Sequence, residues 1–133
     1  MKIAVLGYGT VGSGVVEVLD VNQKLIASRA KEEIEVKYVL DLRNFPGDKI
    51  QEKIVHDYEI ILNDPEIGIV VEVMGGVEPA NTFVRKALEA GKSVVTSNKA
   101  LVAKHGSALL KTAREKNVNF LFEASVGGGI PIL

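Results

Sequence analysis

Apolar residues fall along this chain in two alternating rhythms. Short β-branched runs are separated by longer stretches in which apolar residues recur every three or four positions. Lys2 to Leu6 is continuous and apolar after its lysine, as expected of a strand covered on both faces. Val11, Val15, Val18, Leu19 and Ile26 then recur at helical spacing and predict a helix from about Thr10 to Ser28. Glu35 to Leu40 reads as the second strand. The stretch Asp41 to Ile54 carries Asn44, Pro46, Gly47 and Asp48 and predicts a loop. Ile54 to His56 is a candidate short strand, and Tyr58 to Leu62 a helical turn. Ile69 to Val73 is a further strand, ended by Gly75 and Gly76. Pro79 suits the first position of a helix, Phe83, Val84, Ala87 and Leu88 give that helix an apolar stripe, and Gly91 is placed to end it. Ser93 to Thr96 is another strand. A helix is expected from Ala100, broken at Gly106, with Ser107 capping a continuation to about Lys116. Asn119 to Phe122 is the last strand.

This alternation of strands and helices, starting with a strand at residue 2, predicts an α/β domain. The expected architecture is a doubly wound, Rossmann-type, mostly parallel sheet of five or six strands with helices on both faces. A length of 133 residues gives one domain with room for one core. A 47% share of hydrophobic residues against 25% charged is that of a globular chain, which excludes a disordered one. Sixteen basic residues balance seventeen acidic ones, so nothing pulls the chain as a whole toward nucleic acid or an anionic membrane. The absence of cysteine excludes a disulfide framework and thiolate metal sites. No apolar run is long enough to cross a membrane, and the N-terminus reads as a buried strand rather than a signal peptide, so a cytoplasmic location is expected.

Gly7-Tyr8-Gly9-Thr10-Val11-Gly12 carries the strongest chemical signal. It fits the spacing of a dinucleotide-binding loop, directly after one predicted strand and at the start of a predicted helix. Gly7 allows the tight turn, Gly9 lets backbone approach a pyrophosphate, and Gly12 lets the helix pack against the strand. The free N–H groups of the helix start favour phosphate. An acidic residue is expected further on to bond the adenosine ribose, and Asp41 at the end of the second strand is the well-placed candidate. Arg43 stands two residues later and suits a 2′-phosphate, so NAD and NADP both stay open. Thr96-Ser97-Asn98-Lys99 lies just past the end of a strand, where open α/β sheets bind ligands. A lysine at a helix start opposes the helix dipole, which suggests a use such as holding or moving a proton beside a cofactor. Gly75 and Gly76 are expected to face the cofactor for the same positional reason. In Glu123-Ala124-Ser125-Val126-Gly127-Gly128-Gly129-Ile130-Pro131, a carboxylate with nearby carbonyls suits a hard cation. His56 and His105 lack metal-ligand spacing and read as structural.

Together, GYGTVGSGV at 7–15, VVEVMGG at 70–76, ALEAGKSVVTSNKALVAKHG at 87–106 and FEASVGGGIPIL at 122–133 resemble homoserine dehydrogenase. The resemblance runs the whole length of the chain. It implies NAD- or NADP-dependent interconversion of L-homoserine and L-aspartate 4-semialdehyde, on the route to threonine, methionine and isoleucine. It places Tyr8, Thr10 and Val11 on the cofactor phosphates, and Gly75 and Thr96 along the nicotinamide half. It makes Lys99 the lysine beside the nicotinamide, assigned to cofactor binding and proton transfer. It implies a sodium ion held by Glu123 and the carbonyls of Val126, Gly128 and Ile130. Relatives often carry Val-Arg-Asp after the second strand where this chain has Asp41-Leu42-Arg43, which leaves coenzyme choice open.

The family continues beyond the Gly-Gly-Gly-Ile-Pro segment into a substrate and dimerisation domain. The chain is therefore expected to be the cofactor half of a larger enzyme, binding cofactor but not turning over alone, with Ile130 to Leu133 prone to self-association into a homo-oligomer. The rival expectation is a non-catalytic, nucleotide-sensing module of the same fold, in which Lys99 would be dispensable.

Overall fold

The computed structural model describes residues 2–9, 12–14, 16 and 35–122. Within them lies a six-stranded sheet in the order β3-β2-β1-β4-β5-β6. The strands are β1 (Lys2–Leu6), β2 (Glu35–Leu40), β3 (Ile54–Val55), β4 (Ile67–Glu72), β5 (Ser93–Thr96) and β6 (Phe120–Phe122). Every neighbouring pair is parallel. The sequence runs outward from β1 to β3, then returns to the other side of β1 at β4. That reversal leaves a crevice at the carboxyl ends of β1 and β4, the position at which such sheets bind ligands.

Side chains alternate across β1. Ala4 and Leu6 join one buried cluster, with Val70, Val84, Leu88, Leu101 and Leu109. Ile3 and Val5 join the other, with Val16, Val36, Val39 and Ile50. Because both faces are covered, the strand reads as one apolar run rather than an alternating one. The first face is covered by α2 (Ala80–Glu89) and α3 (Lys99–Glu115), and the short α1 (Tyr58–Leu62) packs beside them. Residues 12–14 and 16 are helical, as expected for the helix after the glycine loop. The rest of that expected helix, to Ser28, lies outside the described residues.

Two local expectations are corrected. Gly106 does not break its helix, since α3 runs unbroken from Lys99 to Glu115 with Asn98 as its cap. Gly106 lies on the buried face of α3 with Leu101, Leu109 and Ala113, and burial of that face outweighs the modest intrinsic cost of a helical glycine. The stretch from Asp41 to Ile54 is not all loop. Asp48 accepts from the Ile50 N–H at 2.9 Å and caps a 3-10 helix at Lys49–Lys53, which puts Ile50 into the second cluster. Gly91, with φ +84°, follows the end of α2 as expected, whereas α2 itself starts at Ala80 with Pro79 as its cap.

Candidate functional site

The turn after β1 is shaped by its glycines. Gly7 has φ +102°, and its N–H donates to Leu40 O at 2.8 Å, which anchors the turn to the end of β2. A Cβ on Gly12 would lie 2.1 Å from Gly7 O, so the helix start packs directly against the turn. No described atom lies within 4 Å of where a Gly9 Cβ would be. The middle glycine therefore faces open space, as the approach of a ligand requires.

That space belongs to a cavity of about 560 Å³, lined by Gly7, Tyr8 and Gly9, by Asp41 to Arg43, by His56, and by Tyr58, Met74, Pro79 and Phe83. Asp41 stands at its edge. Its Oδ2 accepts from Tyr8 N at 3.0 Å and from Arg43 Nη2 at 2.9 Å, and its Oδ1 accepts from Arg43 N at 2.9 Å and Arg43 Nε at 3.0 Å. The Arg43 guanidinium above all, then these backbone donors, hold the Asp41 carboxyl well below the usual carboxylate range. Arg43 lies over the Phe45 ring at 5.2 Å, and Phe45 meets the Tyr8 ring edge-on at 4.9 Å. On the far wall the Tyr58 hydroxyl donates to Phe83 O at 2.7 Å, and burial pushes its ionisation up.

The cavity thus brings together Gly7, Tyr8, Gly9, Asp41 and Arg43 from the sequence-predicted set. Gly75, Gly76, Thr96, Ser97 and Lys99 form a separate group at the ends of β4 and β5. Lys99 opens α3, exposed, and makes no hydrogen bond or ion pair to a described residue. Thr96 is buried, and its hydroxyl is engaged inside the protein rather than turned to the crevice. Thr10 and Val11, and the expected cation ligands Glu123, Val126, Gly128 and Ile130, lie outside the described residues. Among the described residues no group of three His, Asp or Glu could hold a metal ion. No helix among them is long and apolar enough to cross a membrane.

Sequence reasoning missed two residues. His56 lines the cavity, with Nδ1 donating to Asp41 O at 2.7 Å and Nε2 2.9 Å from Asn44 Oδ1. No spacing in the chain announces that role. Glu72 is fully buried at the end of β4, and its signal was there to read: a carboxyl group closing an otherwise apolar run.

Comparison with known proteins bears on this arrangement. Residues 7–123 match the family described as homoserine dehydrogenase, NAD binding domain. The chain is 45% identical over 134 residues to homoserine dehydrogenase of Pseudomonas aeruginosa, covering 100% of this chain and 31% of that protein. It is 42% identical over 138 residues to the Lactococcus lactis enzyme, covering 100% of this chain and 32% of that one. A crystal structure of S. aureus homoserine dehydrogenase superposes with a TM-score of 0.88 at 42% identity, covering 98% of this chain and 33% of that one. The chain therefore spans about a third of the length of these relatives.

Proposed function

The chain belongs to the family of homoserine dehydrogenase NAD-binding domains, and from that premise we propose that it is the cofactor-binding part of an enzyme interconverting L-homoserine and L-aspartate 4-semialdehyde. The observation that carries this reading is the glycine turn beside Asp41: a tight Gly7, an open Gly9, a packed Gly12 and a carboxylate at the same cavity edge. These residues fit an adenosine diphosphate moiety. The turn offers backbone N–H groups and the helix start offers partial positive charge to the phosphates, and Asp41 lies within reach of a ribose.

When bound, a nicotinamide dinucleotide supplies the hydride acceptor or donor for the alcohol carbon. The chain's own residues do the rest. Tyr8, Gly9, Thr10 and Val11 hold the phosphates. Gly75, Gly76, Thr96 and Ser97 border the nicotinamide half. Lys99, the exposed cation at the start of α3, takes or returns the hydroxyl proton. Substrate binding belongs to the remainder of the longer protein, so this chain alone binds cofactor without turnover.

Asp41 and Arg43 support use of both coenzymes. All four acceptor positions of the Asp41 carboxylate are taken, three of them by Arg43. With Arg43 swung aside, Asp41 would accept from a 2′-hydroxyl, and the freed guanidinium would instead hold a 2′-phosphate. A sodium ion at Glu123 and the carbonyls of Val126, Gly128 and Ile130 suits that all-oxygen donor set. It predicts tighter cofactor binding in sodium chloride than in choline chloride.

Calorimetric titration of the chain with NAD and with NADP tests the reading. Binding of both within about tenfold of each other, a gap of about 1.4 kcal/mol, is expected. Binding of neither refutes it, and a larger gap refutes the shared role of Asp41 and Arg43.

A further inference from the structure

Glu72 is the one fully buried acidic residue among the described residues, and the chemistry assigned above makes no use of it. Its Oε1 accepts from the Thr96 hydroxyl at 2.5 Å, and its Oε2 accepts from Met74 N at 2.8 Å and Asn98 Nδ2 at 3.4 Å. Two of these donors belong to residues with further bonds. Thr96 Oγ1 accepts from Asn98 N at 3.0 Å. Asn98 Nδ2 also donates to Gly76 O at 2.5 Å, while Asn98 Oδ1 accepts from Leu101 N at 3.0 Å and so caps α3. The main-chain oxygen of Glu72 accepts from Ser97 N at 3.3 Å.

A carboxyl group at the end of a strand covered on both faces is costly to bury unless fully bonded. Its donors come from the last residue of β5 (Thr96), from the turn that follows it (Asn98) and from the turn after β4 (Met74). Met74 backs onto Gly7 and lines the cavity described above, while Gly75, Gly76 and the turn after β5 lead away from it along the carboxyl ends of β4 and β5. In a doubly wound sheet the dinucleotide lies across the switch point, with one mononucleotide on each half. We propose that Glu72 is a positioning residue: it fixes the 74–76 turn, Thr96 and the first turn of α3 as one rigid wall for the nicotinamide half, and thereby sets the direction from which Lys99 approaches. This rests on the dinucleotide reading above and adds a division of labour to it. Asp41 serves the adenosine end, and Glu72 serves the other end without touching the ligand.

The test compares NADH with ADP-ribose, which has the adenosine end and lacks nicotinamide, on this chain and on Glu72→Gln. The glutamine keeps the shape but sets an NH2 group either against Met74 N–H, which cannot accept, or toward the Thr96 hydroxyl, which must then turn its own proton away from position 72 and lose its acceptor. In the wild type, NADH binds more tightly than ADP-ribose, and its nicotinamide fluorescence rises on binding. In Glu72→Gln that advantage falls by about tenfold, the loss expected from one misplaced hydrogen bond to a carboxyl group. The fluorescence rise goes with it, while ADP-ribose affinity stays within about twofold, because the adenosine end is untouched. Thr96→Val removes a single hydroxyl from the same wall and gives the same selective loss.

Unchanged NADH binding and fluorescence in both variants overturns the proposal. So does a parallel weakening of both ligands with a lower unfolding temperature, which marks a purely structural role. A wild-type chain that binds neither ligand refutes the dinucleotide reading itself, and the proposal with it.

Discussion

Replacing Gly12 with alanine puts a methyl group 2.1 Å from Gly7 O and 2.9 Å from Gly7 C, with Val73 Cγ2 at 3.3 Å. The first two are backbone atoms, so no side-chain rotation relieves the clash. The helix start or the glycine turn must retreat by roughly 1 Å to reach ordinary contact. Overpacking of this kind costs about 1–3 kcal/mol, and a backbone obstacle puts it near the upper end. Alanine recovers about 1 kcal/mol through its better helix propensity, leaving a net loss of about 2 kcal/mol. For a chain of this length that is a fall of about 8 °C in unfolding temperature. Gly14 supplies the control, because no described atom lies within 4 Å of its Cβ position. Gly14→Ala should therefore gain about 0.5–1 kcal/mol and raise the unfolding temperature by about 2–4 °C. The assay is thermal and urea unfolding followed by circular dichroism, with NAD titration alongside. Gly12→Ala also weakens NAD, since the displaced turn carries the phosphate-facing N–H groups, and Gly14→Ala does not. Two glycines two residues apart thus respond with opposite signs. A Gly12→Ala chain as stable as the wild type, or both variants moving together, refutes the close packing of helix on turn.

Arg43→Ala removes the guanidinium that a 2′-phosphate would use, so NADP affinity should fall by about tenfold or more while NAD holds or improves; equal losses for both coenzymes in calorimetry contradict that role. Tyr58→Phe deletes the buried donor to Phe83 O and should cost about 1 kcal/mol, read as about 4 °C in unfolding temperature; no change would mean the hydroxyl contributes nothing. Asp64 is held down to about 2, chiefly by the Lys37 ammonium, with Glu66 N and the Tyr38 hydroxyl adding to it. A depressed folded value means its stabilisation is complete above the unfolded carboxylate value of about 3.9 and is lost as pH falls through about 2. Asp64→Asn should therefore unfold at lower temperature than the wild type at pH 7, with the gap closing between about pH 4 and pH 2; a gap independent of pH speaks against the linkage.

The parts of the fold that sequence pattern predicted well are those where burial alone dictates residue type. β1, β2 and β5 have the bounds expected of them; β1 is the clearest, because a parallel strand covered on both faces is apolar throughout after Lys2, whereas β2 and β5 carry Glu35, Lys37, Ser93 and Thr96 among their apolar residues. β4 starts two residues earlier than expected, since Gly68 interrupts the run and hides Ile67, although Ile67 is buried. Failures arise where a local rule competes with a tertiary one. Gly106 and the loop signals at Asn44, Pro46 and Gly47 argued for interruption. Burial of the helix face that carries Leu101, Gly106, Leu109 and Ala113, and burial of Ile50, decided otherwise. In the site, the glycine turn and Asp41 were legible because their chemistry is encoded in spacing along the chain. The roles of His56 and Glu72 were not, although Glu72 stood out as a carboxyl closing an apolar run, because what they do depends on partners the fold brings in: Asp41 and Asn44 for the histidine, Thr96 and Asn98 for the glutamate.

The two ends of the crevice are built on different principles, and the difference has a consequence for how the site can change. At the β2 end the Arg43 side chain is 61% exposed, and all four contacts of the residue, three hydrogen bonds to Asp41 and one contact with the face of the Phe45 ring, run within the Asp41–Phe45 segment. The guanidinium side of the pair faces solvent, so Arg43 contributes little to stability and is free to exchange partners, while the Asp41 carboxylate stays tied to Tyr8 N. At the β4 and β5 end the Glu72 network is buried and joins two separate stretches of chain, 72–76 and 96–101, so a change in any member leaves a polar group without its partner. Selection of coenzyme can therefore shift by substitutions at Asp41 and Arg43 with little effect on folding. The wall that orients the reacting ring cannot be altered piecemeal. Substitutions at 41 and 43 should accordingly change the ratio of NAD to NADP binding while leaving the nicotinamide fluorescence of bound cofactor unchanged. If they alter that fluorescence as strongly as Glu72→Gln does, the two ends are mechanically coupled and the division between an adaptable end and a rigid one fails.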